Sequence, residues 1–170
     1  MKIYITGPGG SGKSTISIKL AKLYNLPVIH LDKLLWVQPG VENKNYGDLQ
    51  RAAIKEEKWI IEGPSCSIVK EMKNDIDLII LLNPNPIINV FNVVKRYIKG
   101  RFFNGERIGV NIESENQLSL NFLYRTLIYR KRQLPRLLKN INDSGLIPKL
   151  LEINSFSKSF DIVKDHIDNL

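Results

Sequence analysis

The run Gly7-Pro8-Gly9-Gly10-Ser11-Gly12-Lys13-Ser14 sets two glycines, a lysine and a hydroxyl at the spacing G-x-x-x-x-G-K-[ST], a pattern suited to binding phosphate. The glycines let consecutive backbone N–H groups turn inward around an anion. A helix that starts behind them adds free N–H groups and the positive end of its dipole. Lys13 supplies a mobile charge for the outer phosphates. The Ser14 hydroxyl is a candidate Mg²⁺ ligand, with Thr15 beside it. The stretch Gly7, Pro8, Gly9, Gly10, Ser11, Gly12, Lys13, Ser14 and Thr15 is therefore expected to hold ATP and its metal.

The rest of the chain narrows the chemistry. A guanine reader of the form Asn-Lys-x-Asp is absent, and the apolar strand of residues 76–82 ends Leu81-Leu82-Asn83 with no acid. These features argue against a GTPase and against a motor-type ATPase. Carboxylates stand elsewhere. Trp59-Ile60-Ile61-Glu62-Gly63 puts Glu62 at the carboxyl end of a strand, where open α/β sheets bind ligands. Glu62 is a candidate to hold Mg²⁺ or orient an acceptor, with Gly63 adjoining, or else is a plain strand-end carboxylate. In His30-Leu31-Asp32-Lys33, Asp32 falls at the matching edge of another strand. It suits an acceptor hydroxyl or the metal's water shell, or it caps a following short helix. Trp36 either stacks in the acceptor pocket or belongs to the core. His30 faces away from Leu31 and reads as structural.

Phosphoryl transfer spreads negative charge over equatorial oxygens, and arginines supply fixed donors for it. On a helix over Gln117–Ile141, an apolar stripe runs through Leu123, Leu127, Leu134, Leu137, Leu138 and Ile141, with Arg130 in its middle. An arginine on a buried face needs an anionic partner, either bound phosphate or a carboxylate such as Glu62 or Asp32. Snorkelling along the stripe is the alternative. Arg96 ends the preceding helix, opposite a stripe of Ile87, Val90, Phe91, Val94 and Ile98. Arg130 and Arg96 rank first as catalytic candidates beside Lys13, followed by Arg101 and Arg107.

The elements that must position these groups follow from periodicity. Strands are expected at Lys2–Thr6, Pro27–Leu31, Lys58–Ile61, Ile76–Leu82 and Lys149–Ile153, and Val37–Asn45 is turn-rich. Helices are expected at Lys13–Tyr24, Gly47–Glu57, Ser65–Asn74, from Pro84 or Pro86 to about Lys99, at Gln117–Ile141 with a kink or break at Pro135, and at Ser155–Leu170. Alternating strands and helices predict a five-stranded parallel sheet with helices on both faces, a three-layer α/β fold. The whole chain, 1–170, reads as one domain. The polar, glycine-punctuated segment Gly100–Asn116 reads as a lid or flap insertion spanning residues 100–117.

Composition is that of a globular chain: of 170 residues, 43% are hydrophobic and 25% charged, which excludes disorder and coiled coil. No apolar run is long enough for a membrane helix. The N-terminus lacks a signal-peptide core, so a cytoplasmic location without membrane partners is expected. One cysteine, Cys66, and two histidines offer no disulfide framework and no zinc pattern. The net charge of +8 is concentrated: residues 95–139 hold eleven Lys and Arg against three Glu. That basic stretch keeps a nucleic-acid partner open as an alternative, with ATP binding as a switch.

The chain resembles the adenylate-kinase-like P-loop kinases, and more narrowly the FlaR-type proteins often labelled DNA topology modulation proteins. The resemblance rests on Gly7–Thr15, Pro27–Lys33 with Trp36, Trp59–Gly63, and Tyr129-Arg130-Lys131-Arg132 followed by Pro135. It implies a nucleotide-kinase-like fold using ATP and Mg²⁺. It also implies ATP and metal on Lys13, Ser14 and Thr15, an acceptor near Asp32 and Glu62, and Arg96 and Arg130 toward the phosphates. The family pattern carries an arginine near position 67, where this chain has Ser67. The expected activity is ATP-dependent phosphoryl transfer to a small molecule or nucleotide.

Overall fold

A computed structural model gives the architecture and describes residues 1–38, 41–63, 68–102 and 119–170. In chain order its elements are β1 (Lys2–Thr6), α1 (Lys13–Tyr24), β2 (Val28–His30), α2 (Leu31–Leu35), β3 (Trp36–Gln38), β4 (Val41–Glu42), α3 (Tyr46–Lys55), β5 (Trp59–Glu62), α4 (Ile68–Glu71) and β6 (Leu78–Leu82). They continue with α5 (Pro86–Phe102), α6 (Leu120–Leu127), α7 (Tyr129–Arg132), α8 (Leu134–Asp143), β7 (Leu150–Ile153) and α9 (Ser159–Asp168). The main sheet has five strands in the order β2-β5-β1-β6-β7, all parallel. The turn-rich segment after α2 forms a small antiparallel hairpin, β3 with β4.

Strand alternation divides the core into two layers. Tyr4, Ile61, Ile79 and Leu81 face one side and pack with Ala53 and Ile54 of α3, Ile68 and Val69 of α4, and Leu137 and Ile141 of α8. Ile3, Ile5, Ile60, Ile80 and Leu82 face the other side, against Ile16 and Leu20 of α1 and Val163 and Ile167 of α9. The near-continuous apolar run of β6 is buried on both faces, as its composition requires. This is the expected three-layer fold. Among the described residues, no helix is long and apolar enough to cross a membrane.

One helical expectation needs correction. The stretch 117–141 is not one helix with a flaw at Pro135. Among its described residues it breaks at Ile128 and again at Gln133, giving α6, α7 and α8. Pro135 sits in the first turn of α8, where a missing N–H does no harm, so the interruption falls upstream of it. The continuous stripe is thereby lost. Leu137 and Ile141 remain buried in α8, but Leu127 and Arg130 are exposed. The orientation of α5 is a separate finding. Its expected apolar stripe points outward, with Ile87 70% and Phe91 63% exposed, while Asn89 and Val93 are buried. The polar face of α5 is the one that packs inward, because it meets backbone rather than side chains. The expected lid over residues 100–117 lies outside the described residues from 103 onward.

These assignments separate two isoleucines. Ile80→Ala should cost about 2–5 kcal/mol of unfolding free energy, as a core truncation does. Ile87→Ala, on the outward face, should stay within about 0.5 kcal/mol. Urea titration followed by circular dichroism measures both.

Candidate active site

The loop between β1 and α1 is pressed from behind by two backbone carbonyls. Gly7 has φ 143°, and a Cβ there would lie 2.2 Å from the Leu82 carbonyl oxygen; Gly10 has φ 75°, and a Cβ would lie 2.2 Å from the Asn89 carbonyl oxygen. Only glycine tolerates both the dihedrals and the approach. Asn92 Nδ2 donates to the Gly10 carbonyl at 3.0 Å, so α5 grips the loop with its asparagine face. Two phenyl rings flank the loop: Phe122 of α6 stands over Gly9 and Phe156, after β7, stands over Gly12. Neither ring was singled out in the sequence, where nothing local links them to residues more than a hundred positions earlier.

The opening of α1 is built for an anion. Its N-cap, Gly12, offers no side-chain cap, and its first turn has no acidic residue, which leaves the helix's terminal N–H groups and dipole uncompensated by side chains. Lys13 Nζ donates to the Pro8 carbonyl at 2.9 Å, folding the ammonium back over the loop. Ser11 is buried, and its hydroxyl makes no hydrogen bond among the described residues. Thr15 is exposed on the first turn.

Glu62 stands at the end of β5, only 4% exposed. Ser14 Oγ donates to its Oε1 at 3.1 Å, and His30 Nδ1 lies 2.7 Å from the same oxygen. An ionised carboxylate only accepts, so Nδ1 carries the proton. Burial pushes the Glu62 carboxyl up, but the His30 hydrogen bond, the charges of Lys13 and His30, and the Ser14 hydroxyl together hold it below its ordinary value. Parallel pairing explains the contact, because His30 and Glu62 are direct register partners on β2 and β5. His30 is thus part of the site rather than merely structural. Strand order alone would have revealed this, and strand order is not written in local sequence. Both of these donors use Oε1. A hydroxyl next to a carboxylate fits a hard cation such as Mg²⁺, so Ser14 and Glu62 remain suitable metal ligands on this geometry.

Asp32 lies in the first turn of α2, immediately beyond β2, and is half-buried. It is not the helix cap, a position taken by His30. Gly63 follows Glu62, and its carbonyl accepts the Tyr4 hydroxyl at 3.0 Å. A Cβ on Gly63 would lie 2.8 Å from Leu31 Cβ, which shows how closely α2 sits over β5. Trp36 begins β3 and pairs with Glu42 across the hairpin.

The arginines separate. Arg96 lies on the α5 face that carries Asn89, Asn92 and Val93, the face that meets the loop. Arg130 does not occupy a buried stripe and is not bonded to Glu62 or Asp32. Its Nε donates to Asn83 Oδ1 at 3.0 Å, and its Nη2 donates to the carbonyls of Asn83 at 2.7 Å and Pro84 at 3.3 Å. Asn83 in turn donates to Glu152 at 2.9 Å. The break at Ile128 turns the side chain toward the end of β6. The Arg101 and Arg107 side chains lie outside what the structure describes.

No family model matches the chain, and no curated protein sequence matches it at a significant level. Solved structures do match. The crystal structure of shikimate kinase from Bacteroides thetaiotaomicron has a TM-score of 0.60 at 14% sequence identity, covering 99% of this chain and 98% of that one. The fold is that of a P-loop kinase. At this identity the likeness concerns the fold alone.

The depressed Glu62 carboxyl has a signed consequence for stability. Its folded pKa lies below the ordinary 4.5, so its contribution is present above that value and is lost as pH falls through the folded pKa. The difference in unfolding free energy between the native protein and Glu62→Gln should therefore shrink as pH drops from about 6 to 3. Urea titrations across that range check it, and a constant difference contradicts the arrangement.

Proposed function

We propose that the protein is an ATP-dependent phosphotransferase, a small-molecule or nucleotide kinase, in which Gly7–Thr15 hold Mg-ATP and the acceptor binds beside Asp32 and Glu62. The observation that carries this reading is the Ser14–Glu62 contact under the charge of Lys13. It brings a hydroxyl, a carboxylate and an ammonium together at the mouth of a loop in which Gly7, Gly10 and Gly12 all have positive φ.

Each residue then has a definite task. The loop amides and the start of α1 hold the phosphates, and Lys13 exchanges the Pro8 carbonyl for phosphate oxygens. Ser14 and Glu62 would hold Mg²⁺, which supplies charge neutralisation on the phosphate oxygens. Asp32 accepts the proton of the acceptor hydroxyl as its oxygen forms the new bond to the γ-phosphorus. The bond from that phosphorus to the bridging oxygen breaks, and ADP leaves with the electron pair. Gly63 and Trp36 border the acceptor. Arg96 faces the transferring group from α5. Arg130 joins it only by releasing Asn83 and Pro84. Residues 1–170 form one kinase-like domain in this reading, with 100–117 as its lid. The narrower FlaR-type likeness, resting on the four stretches named above, is part of the same proposal. So is a soluble setting with ATP and a small molecule as partners.

A second reading has its own observation. Arg125, Lys131, Arg132, Arg136 and Lys139 are all exposed on α6–α8, a surface able to meet a phosphate backbone, which would make the protein an ATP-binding regulator associated with DNA. Binding of that kind weakens steeply with salt. Absence of duplex binding at low salt eliminates it.

The test of the kinase reading is Lys13→Ala. Acceptor-stimulated ADP release from Mg-ATP should fall by about 100-fold or more, the scale of losing one charge-stabilising donor. Full phosphoryl transfer by the variant would reject the mechanism.

A further inference from the structure

The grip of α5 on the phosphate loop depends on a directional contact. Asn89 and Asn92 stand three positions apart, a spacing that puts both on one helix face. Asn89 is buried and Asn92 half-buried. Asn89 fastens the helix to its own start, its Nδ2 donating to the Pro84 carbonyl at 3.3 Å. Asn92 reaches further, and its Nδ2 donates to the Gly10 carbonyl at 3.0 Å. A carbonyl only accepts, so the amide nitrogen is the group that must face it. Two other groups of α5 crowd Gly10: the Asn89 carbonyl oxygen and a Val93 methyl, 2.2 and 3.1 Å from where a Cβ would stand. Both limit the space for a side chain. Neither is a donor, so neither can orient a carbonyl.

The direction of that carbonyl decides where the next amide points. A peptide group is planar and trans, with its C=O and N–H on opposite sides. Turning the Gly10 oxygen toward α5 therefore turns the Ser11 N–H away from α5, into the loop. Its partner there is the Pro8 carbonyl oxygen, at 3.4 Å. Lys13 Nζ donates to the same oxygen at 2.9 Å. An amide and an ammonium thus converge on one oxygen. The amide's bond is longer than an ordinary N–H···O contact, so little is lost when Pro8 is exchanged for another acceptor. A charged acceptor gives the stronger bond, and a phosphate oxygen is one.

We propose that Asn92 is a positioning residue for phosphate binding: by holding the Gly10 carbonyl against α5, it keeps the Ser11 amide turned toward a phosphate oxygen of the bound nucleotide, beside Lys13. The inference rests on the phosphate-binding part of the kinase reading and adds a residue to that site. Asn92 acts through Gly10 and touches no phosphate itself. The proposal also gives the polar face of α5 a purpose. An apolar side chain at position 92 could pack against the loop but could not aim a peptide group. A carboxylate of the same size could only accept, and it would repel the Gly10 oxygen. The action is on phosphate and is indifferent to the base.

The experiment uses the full chain and two probes, Mg-ADP and magnesium tripolyphosphate, with binding measured by calorimetry. Asn92→Leu and Asn92→Asp both remove the donor and keep the side chain near its size. Each should raise the Kd for Mg-ADP about 10-fold, the scale of one hydrogen bond. The Kd for tripolyphosphate should rise by a similar factor, since no base is involved. Asn85→Ala is the control on the same helix: Asn85 Oδ1 accepts from the Ile87 N–H at 2.9 Å, and loss of that cap should lower the thermal midpoint while the Mg-ADP Kd stays within about twofold. In the native chain, the Ser11 amide proton should move downfield in an NMR spectrum when tripolyphosphate binds, as an N–H does on taking a charged acceptor. An unmoved Ser11 resonance overturns the proposal whatever the variants do. An unchanged Kd in both Asn92 variants overturns it too, and so does an equal rise in Asn85→Ala, which would assign the effect to helix stability. In each of these cases the nucleotide reading stands. Failure of the native chain to bind Mg-ADP overturns both.

Discussion

The loop after β1 is shaped from outside. Carbonyl oxygens of Leu82 and Asn89 occupy the space that side chains at Gly7 and Gly10 would need. With its back fixed in this way, the loop has little room to move toward β6 or α5. Everything else in the site is arranged around that constraint. The end of β6 supplies one carbonyl, α5 supplies the other, and the sheet sets the distance between them. Preorganisation of this kind is what gives fixed dipoles their advantage over water, which must reorganise around a charge.

The charged groups follow the same economy. Glu62 is the buried acid at the end of β5, while β6, the strand next to the loop on the other side, ends in Asn83. The buried carboxylate of the site thus stands on the β2–β5 side, and His30, Lys13 and Ser14 hold it below its ordinary value. The same side carries Asp32.

Much of this was legible in the residues. The phosphate loop is a local pattern with local physics, and Glu62 and Asp32 were visible as acids at the ends of apolar strands. The five parallel strands followed from alternation of strand and helix. Other features were written in no single window. The His30–Glu62 contact depends on β2 lying beside β5, a matter of strand order. The inward face of α5 could not be read from hydrophobic periodicity, which assumes that helices pack by apolar side chains, whereas the Asn92 side chain and the Asn89 carbonyl meet the loop backbone at Gly10. The segment 117–141 lost its stripe because no proline or glycine announces the break at Ile128, and the phase of every residue beyond it changes.

Arg130 acquires a mechanical meaning from its contacts. It fastens a one-turn helix to Asn83 and Pro84, and the residue before Asn83 is Leu82, whose carbonyl backs Gly7. Contacts run without a gap from the guanidinium through the strand end to the loop. A displacement of α7 would thus be passed through the guanidinium, as a linchpin, to the backbone behind Gly7.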